Sequence, residues 1–294
     1  MTEISFKSAE GKELKLGKGR LKLLHVEGFE APKVTIAFAK GPGIDGAIEA
    51  KYRIEPRHIE IDALLDLRDL DEIGISEERK NISEAMNTKD NYGKLTIKRD
   101  ERIRNISAMP CQVIFKKKRW NEEWQKVILG FICEKPFFKN IEPIENRLRF
   151  YAWLTEFSEE GIEFNEEGLE FSRIENAGGR TIEIINNGNV PAPIKIRFTG
   201  PVVDPYIKNK TTNETIRIDQ IIKEGEYVEI DTEPGRRQIK LLRNGYLQNG
   251  MHYLDLESTF WKLKDGKNIV EIGDISPGEG SEALFEFYEH YLEA

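Results

Sequence analysis

The chain has 294 residues, long for a single core and well suited to two domains of about 150 residues each. Its 39% hydrophobic and 10% aromatic content excludes wholesale disorder, and its 33% charged content implies a heavily solvated surface with a formal net charge of −8. The opening MTEISFKSAEGKELKLGKG has no apolar run suited to a signal peptide, and no stretch approaches the ~20 apolar residues that span a bilayer, so synthesis in the cytosol without a membrane anchor is expected.

Most segments read as short strands. Alternating or apolar runs come first at Leu21–Val26, Lys33–Ala39 and His58–Leu64. A helix is predicted next, with Ser76 as its cap and Glu77 and Glu78 in the first turn, where the helix dipole favours negative charge. Ile82 and Met86 share its apolar face at i, i+4 spacing, and Asn87 with Asn91–Gly93 ends it. Strands resume at Lys94–Lys98, Cys111–Phe115 and Val127–Cys133. The last two are expected to pair as a hairpin turning near Asn121–Glu122, which matches Cys111, Val113 and Phe115 with Leu129, Phe131 and Cys133. That register sets both thiols nearly opposite each other on the core face, as reduced apolar side chains rather than a disulfide.

A domain boundary is expected in Lys139–Asn146, where Pro143, with Pro136 just before, holds the chain extended; the domains are then 1–142 and 143–294. Beyond it, strands are predicted at Arg147–Leu154, Arg180–Ile185, Pro193–Thr199, Thr215–Ile218, Tyr227–Ile230, Gln238–Leu242, Tyr253–Phe260, Lys267–Ile272 and Ala283–Tyr288. Ser281–Leu292 fits a strand or a short helix equally. Short strands punctuated by Gly, Asn and Pro indicate a mainly β protein built of sandwiches or barrels.

Charge divides unevenly. Residues 1–145 hold 27 Lys and Arg against 25 Asp and Glu, leaving 17 basic against 27 acidic residues in the remainder. An acidic second half argues against phosphate-backbone binding there and favours a solvated module. The basic run Lys116–Arg119 beside Trp120 and Trp124 has the composition of a single-strand nucleic-acid patch, but it falls at a predicted hairpin tip, with Glu122 and Glu123 beside it, and reads as a solvated tip or a protein contact.

Catalytic signatures are thin. His25, His58, His252 and His290 are scattered without HExxH, HxH or zinc spacing. KGPGIDGA at Lys40–Ala47 lacks the GK[ST] ending of a phosphate-binding loop and reads as a turn. There is no GxSxG elbow, and carboxylate runs such as Ser158–Glu163 and Asn165–Glu167 carry no weight among 52 acidic residues. No catalytic, cofactor-binding or metal-ligating residue is assigned and no cofactor is expected; a protein without such a site points to assembly or surface recognition.

Across nearly its whole length the chain resembles the siphophage distal tail protein (Dit-like) family. In the first half, VEGFEAPKVTIAFAKGPGIDGA followed by YRIEPRHIEI is similar to the family's opening pattern of polar turn, Pro-led strand, Asp-Gly turn and strand. GKLTIKRDERIRNISAM and VILGFICEKPFF resemble its hairpin and the Pro-aromatic end of its first domain. In the second half NNGNVPAPIKIRFTG, IKNKTTNETIRI, EIDTEPGRRQIKL and STFWKLKDGKNIVEI succeed one another in the family's order. A first domain on the long side, with Lys89–Arg104 open to particular contacts, departs from shorter members.

The resemblance implies a β-rich N-terminal domain with one helix, assembled as a homo-hexameric ring around the tail channel, and a galectin-like β-sandwich projecting outward. The ring would join the tail tube to the baseplate or tip hub in the virion tail, contacting tube protein, tape-measure protein, the tail-associated hub or lysin and receptor-binding protein, with neither membrane nor specific nucleic-acid binding. A non-enzymatic structural role follows. The competing expectation is a carbohydrate-binding module that contacts host cell-wall glycan through Trp153 and Trp261, both of which lie in strand-like apolar runs suited to a core. A cell-wall hydrolase is the remaining alternative.

Overall fold

A computed structural model describes residues 2–39, 45–46, 49–87, 92–116, 123–149, 180–273 and 281–294. They form two compact units, one of residues 1–141 with 290–294 and one of residues 142–289. The architecture is mainly β, as the alternation predicts, with one α-helix among the described residues.

The first unit runs β1 (Thr2–Lys7), β2 (Glu13–Leu16), β3 (Leu21–Glu27), β4 (Val34–Ala39), β5 (Glu49–Ile54), β6 (Arg57–Asp66), α1 (Glu72–Ala85), β7 (Gly93–Arg99), β8 (Arg102–Phe115), β9 (Trp124–Cys133) and β10 (Phe138–Asn140). Antiparallel pairing gives one long sheet in the order β2-β1-β7-β8-β9-β6-β3, with β10 added alongside β8. One face is apolar because every second residue is: Ile59, Ile61, Ala63 and Leu65 of β6 face Val127, Leu129, Phe131 and Cys133 of β9 in a single buried cluster. Ile4 and Phe6 of β1 and Leu14 and Leu16 of β2 join it. These two strands have no counterpart in the sequence prediction, because each offers only two apolar positions among polar ones.

The helix α1 starts earlier than expected. Asp71, not Ser76, is the N-cap, and its carboxylate accepts from the Gly74 backbone N–H at 2.8 Å. Glycine within the first turn lowers helix propensity, but the cap and the burial of Ile75, Ile82 and Ala85 against the sheet outweigh that cost. The expected Ile82–Met86 face is buried.

The Cys111–Cys133 register also differs. The β8–β9 ladder shifts between Pro110 and Gln112, so Cys111 sits in a bulge and turns to solvent while Cys133 is fully buried beside its β6 partner Arg57. An inserted residue reverses the face of whatever precedes it. Burial pushes the Cys133 thiol up to about 12, which keeps it protonated.

The second unit contains β11 (Ile144–Arg149), β12 (Arg180–Asn186), β13 (Ala192–Thr199), β14 (Val202–Val203), β15 (Tyr206–Asn209), β16 (Glu214–Arg217), β17 (Ile221–Ile222), β18 (Tyr227–Asp231), β19 (Gln238–Arg243), β20 (Tyr246–Asn249), β21 (Lys262–Leu263), β22 (Gly266–Gly273) and β23 (Glu282–Phe287). A sheet ordered β11-β23-β13-β18-β19-β20 and another ordered β12-β22-β15-β16 share one core, from Ile196, Phe198 and Phe285 on the first to Ile207, Val270 and Ile272 on the second. This is a β-sandwich. The undecided segment after Ser281 is strand β23, followed by β24 (His290–Tyr291), which pairs with β10 in the first unit.

The predicted strand Tyr253–Phe260 is absent. Met251–Tyr253 forms a 3-10 turn, Ser258 N–H closes a turn on the Asp255 carbonyl, and Leu256 is fully exposed. The segment meets β16 at separate points instead of along a ladder: the Asp255 and Thr259 N–H groups donate to the Arg217 and Thr215 carbonyls, and the Ser258 hydroxyl accepts from the Arg217 N–H at 2.9 Å.

Candidate assembly surface

Between β3 and β6, which pair with each other, the chain leaves the main sheet to make the β4–β5 hairpin. Its register opposes Val34 to Ile54, Ile36 to Tyr52 and Phe38 to Ala50. Strand pleating therefore puts Val34, Ile36, Phe38, Tyr52 and Ile54 on one face, while Thr35 and Arg53, with Ala37 and Lys51, occupy the other. The apolar face lies open: Val34 is 46% exposed, Ile36 51%, Phe38 59% and Tyr52 75%. Among the described residues the hairpin pairs with no third strand.

Two physical points make this face the candidate contact surface of the first unit. A lone two-stranded hairpin is marginally stable in water and needs something to cover it. A contiguous apolar face of β-branched and aromatic residues left in solvent is characteristic of a contact surface. The sequence predicts the strand Lys33–Ala39 but not its exposure.

The hairpin root is tightly built. The Glu55 N–H donates to the Lys33 carbonyl at 2.9 Å. Gly28, with φ +89°, passes so close to β6 that an added Cβ would stand 2.0 Å from the His58 carbonyl oxygen, so no side chain fits there. Arg57, the first residue of β6, is buried under the root and donates to the Gly28 and Glu30 carbonyls.

The other residues singled out in the sequence do not converge. His25 and His58 are exposed on their strands, His252 lies in the 3-10 turn, and His290 is buried with its ring stacked on Phe137 at 5.7 Å. Trp124 packs under the Arg68 guanidinium at 4.9 Å. Lys117–Arg119 with Trp120, the turn at Asn121–Glu122, the carboxylate runs, Trp153 and most of Lys40–Ala47 lie outside the described residues. Trp261 is 2% exposed within the core of the second unit, which removes it as a stacking platform for sugar. Among the described residues no three His, Cys, Asp or Glu side chains come together as a metal site, and no helix is long and apolar enough to cross a membrane.

Residues 187–291 match the family of the siphovirus-type tail component, C-terminal domain. No curated protein matches the sequence. Among solved structures, the fold is similar to that of the SPP1 Dit (gp 19.1) protein, described as a paradigm of the hub adsorption apparatus in phages infecting Gram-positive bacteria. The TM-score is 0.69 at 14% identity over 99% of each chain. It is also similar to chains of the phage p2 baseplate in its activated conformation, at TM-score 0.53 and 9% identity with strontium and 0.54 and 10% with calcium, each over 98% of both chains. The fold is thus similar to that of the SPP1 Dit protein, and the second unit holds the stretch, residues 187–291, that matches the siphovirus-type tail component, C-terminal domain.

Proposed function

We propose that the chain is a non-enzymatic structural component of a phage tail. In this reading the first unit self-associates symmetrically into a hexameric ring that joins the tail tube to the baseplate or tip hub, with tube protein, tape-measure protein and hub or lysin as neighbours. The second unit, a sandwich with galectin-like architecture, offers a surface to further tail components such as a receptor-binding protein. The observation that carries the reading is the open apolar face of the β4–β5 hairpin on a Dit fold. A heterologous, ring-closing contact that covers Ile36, Phe38 and Tyr52 removes from water the apolar surface that the monomer leaves wet.

Light scattering and negative-stain imaging over a concentration series test it. Six-membered rings with a central opening are expected, and Ile36→Glu with Phe38→Glu is expected to leave a folded monomer. A chain that remains monomeric at every concentration, alone and with tube and hub proteins, overturns the ring.

A further inference from the structure

Arg57 is an unusual use of a guanidinium. It is 3% exposed. Its Nε donates to the Pro136 carbonyl at 2.9 Å, one terminal nitrogen donates to the carbonyls of Gly28 at 2.6 Å and Glu30, and the other donates to the Leu292 carbonyl at 2.5 Å. The Phe138 ring lies against the guanidinium at 4.6 Å, and Phe29 meets Phe138 edge-on at 5.9 Å. Three stretches of chain far apart in sequence therefore end on one side chain: the hairpin root, the segment after β9, and residues 290–294.

The last of these is stitched to the same place by other bonds. Tyr291 and His290 pair with Phe138 and Lys139, the Ala294 N–H donates to the Phe29 carbonyl at 3.1 Å, and Arg104 donates to the Glu293 carbonyl at 2.5 Å with its guanidinium 3.7 Å above the Tyr291 ring. Phe29 lies between Gly28 and Glu30, so Arg57 holds the two end carbonyls of a three-residue link whose middle carbonyl is held by this segment.

A buried cation is tolerated only when its donors are bonded, and the planar fork of arginine spreads its donors over three nitrogens and reaches carbonyls on several sides, a span that the three donors on lysine's one nitrogen do not cover. Once satisfied, such a centre fixes the positions of everything bonded to it, because any one carbonyl that leaves strands a buried donor.

We propose that Arg57 is the positioning residue of the β4–β5 hairpin, and that residues 290–294 form the other half of a latch that holds the hairpin root in one pose for assembly. The assembly role rests on the function proposed above; the latch itself rests on the geometry of the root.

Amide hydrogen exchange on the dilute, unassembled chain tests it, using Arg57→Gln and, independently, a variant lacking residues 290–294. Either change is expected to speed exchange of the described amides in 28–39 and 51–55 by at least about tenfold, while β9 and the whole second unit keep their protection. Arg57→Lys is expected to behave like Arg57→Gln. Self-association of both variants is expected to weaken by about tenfold or more. Unchanged exchange at the root in both variants overturns the latch, as does an equal loss of protection across β6 and β9, which would make Arg57 a general strut. Ile36→Glu with Phe38→Glu separates the two proposals. If self-association survives that pair, the hairpin's assembly role fails, whereas exchange at the root alone decides the latch.

Discussion

Strands β4 and β13 place apolar side chains in the same way, on alternate positions: Val34, Ile36 and Phe38 in one, Ala192, Ile194, Ile196 and Phe198 in the other. In β13 all four are buried, with β18 and β23 hydrogen-bonded on its two sides and the second sheet of the sandwich sharing its core. In β4 the three are about half exposed, with β5 as the one neighbour among the described residues. Alternation fixes which face of a strand is apolar. What covers that face depends on residues far away in sequence, or on another molecule.

The comparison breaks most visibly on phenylalanine. Phe198→Ala is expected to cost the second unit about 3–5 kcal/mol, since it opens a cavity in a closed core. Phe38→Ala is expected to change the stability of the monomer by no more than about 0.5 kcal/mol, because its ring already stands in water. Urea unfolding of each variant under monomeric conditions measures both. Comparable losses at the two sites would show that the hairpin is covered from within its own chain. In assembled material Phe38→Ala is expected to cost about 2 kcal/mol of association, read as a shift in the concentration at which rings form.

What the sequence made legible follows from how local each signal is. The mainly β class and most of the strands of both units are written in short-range alternation. β1 and β2 are not legible, because Ile4, Phe6, Leu14 and Leu16 give only two apolar positions per strand. The bulge at Cys111 cannot be read from spacing, and it sends one thiol to solvent while Cys133 stays buried. At the candidate site the strand was legible and its exposure was not. Arg57 was least legible of all, because its acceptors sit at Gly28, Glu30, Pro136 and Leu292 and only the folded chain brings them together.

The helix stands between the two strands, since one of its faces is covered and the other is wet: Ile75 is 7% exposed and Ile73 69%. Its start rests on one side chain. Asp71→Ala is expected to destabilise the first unit by about 1 kcal/mol in urea unfolding, because it removes the acceptor for the Gly74 N–H at an end the helix dipole makes positive. Ser76→Ala, at the cap position the sequence suggests, is expected to leave stability nearly unchanged.

The polar faces of the two strands sharpen the contrast with the smallest effect. On β13, Arg197 stands opposite Glu229 of β18 and donates to its carboxylate at 2.8 Å, with Lys195 at 3.2 Å from the same oxygen. On β4, the positions facing Arg53 and Lys51 are Thr35 and Ala37, which carry no charge. Burial pushes the Glu229 carboxyl up, but the hydrogen bonds from Arg197 and Lys195 and their charges outweigh it and hold it below the usual carboxylate range. A carboxyl whose folded value is depressed adds stability that is complete above its unfolded value of 4.5 and is lost as the pH falls through the folded one. Both cations are some 40% exposed, so solvent screening keeps the contribution small. Glu229→Gln is therefore expected to lower stability by less than about 1 kcal/mol at neutral pH. The gap should shrink with added salt and close as the pH drops below the carboxylate range, when the wild-type side chain is itself protonated. Thermal melts of the two chains across pH measure this, and a gap that persists unchanged in acid would mean that Glu229 acts through packing rather than charge.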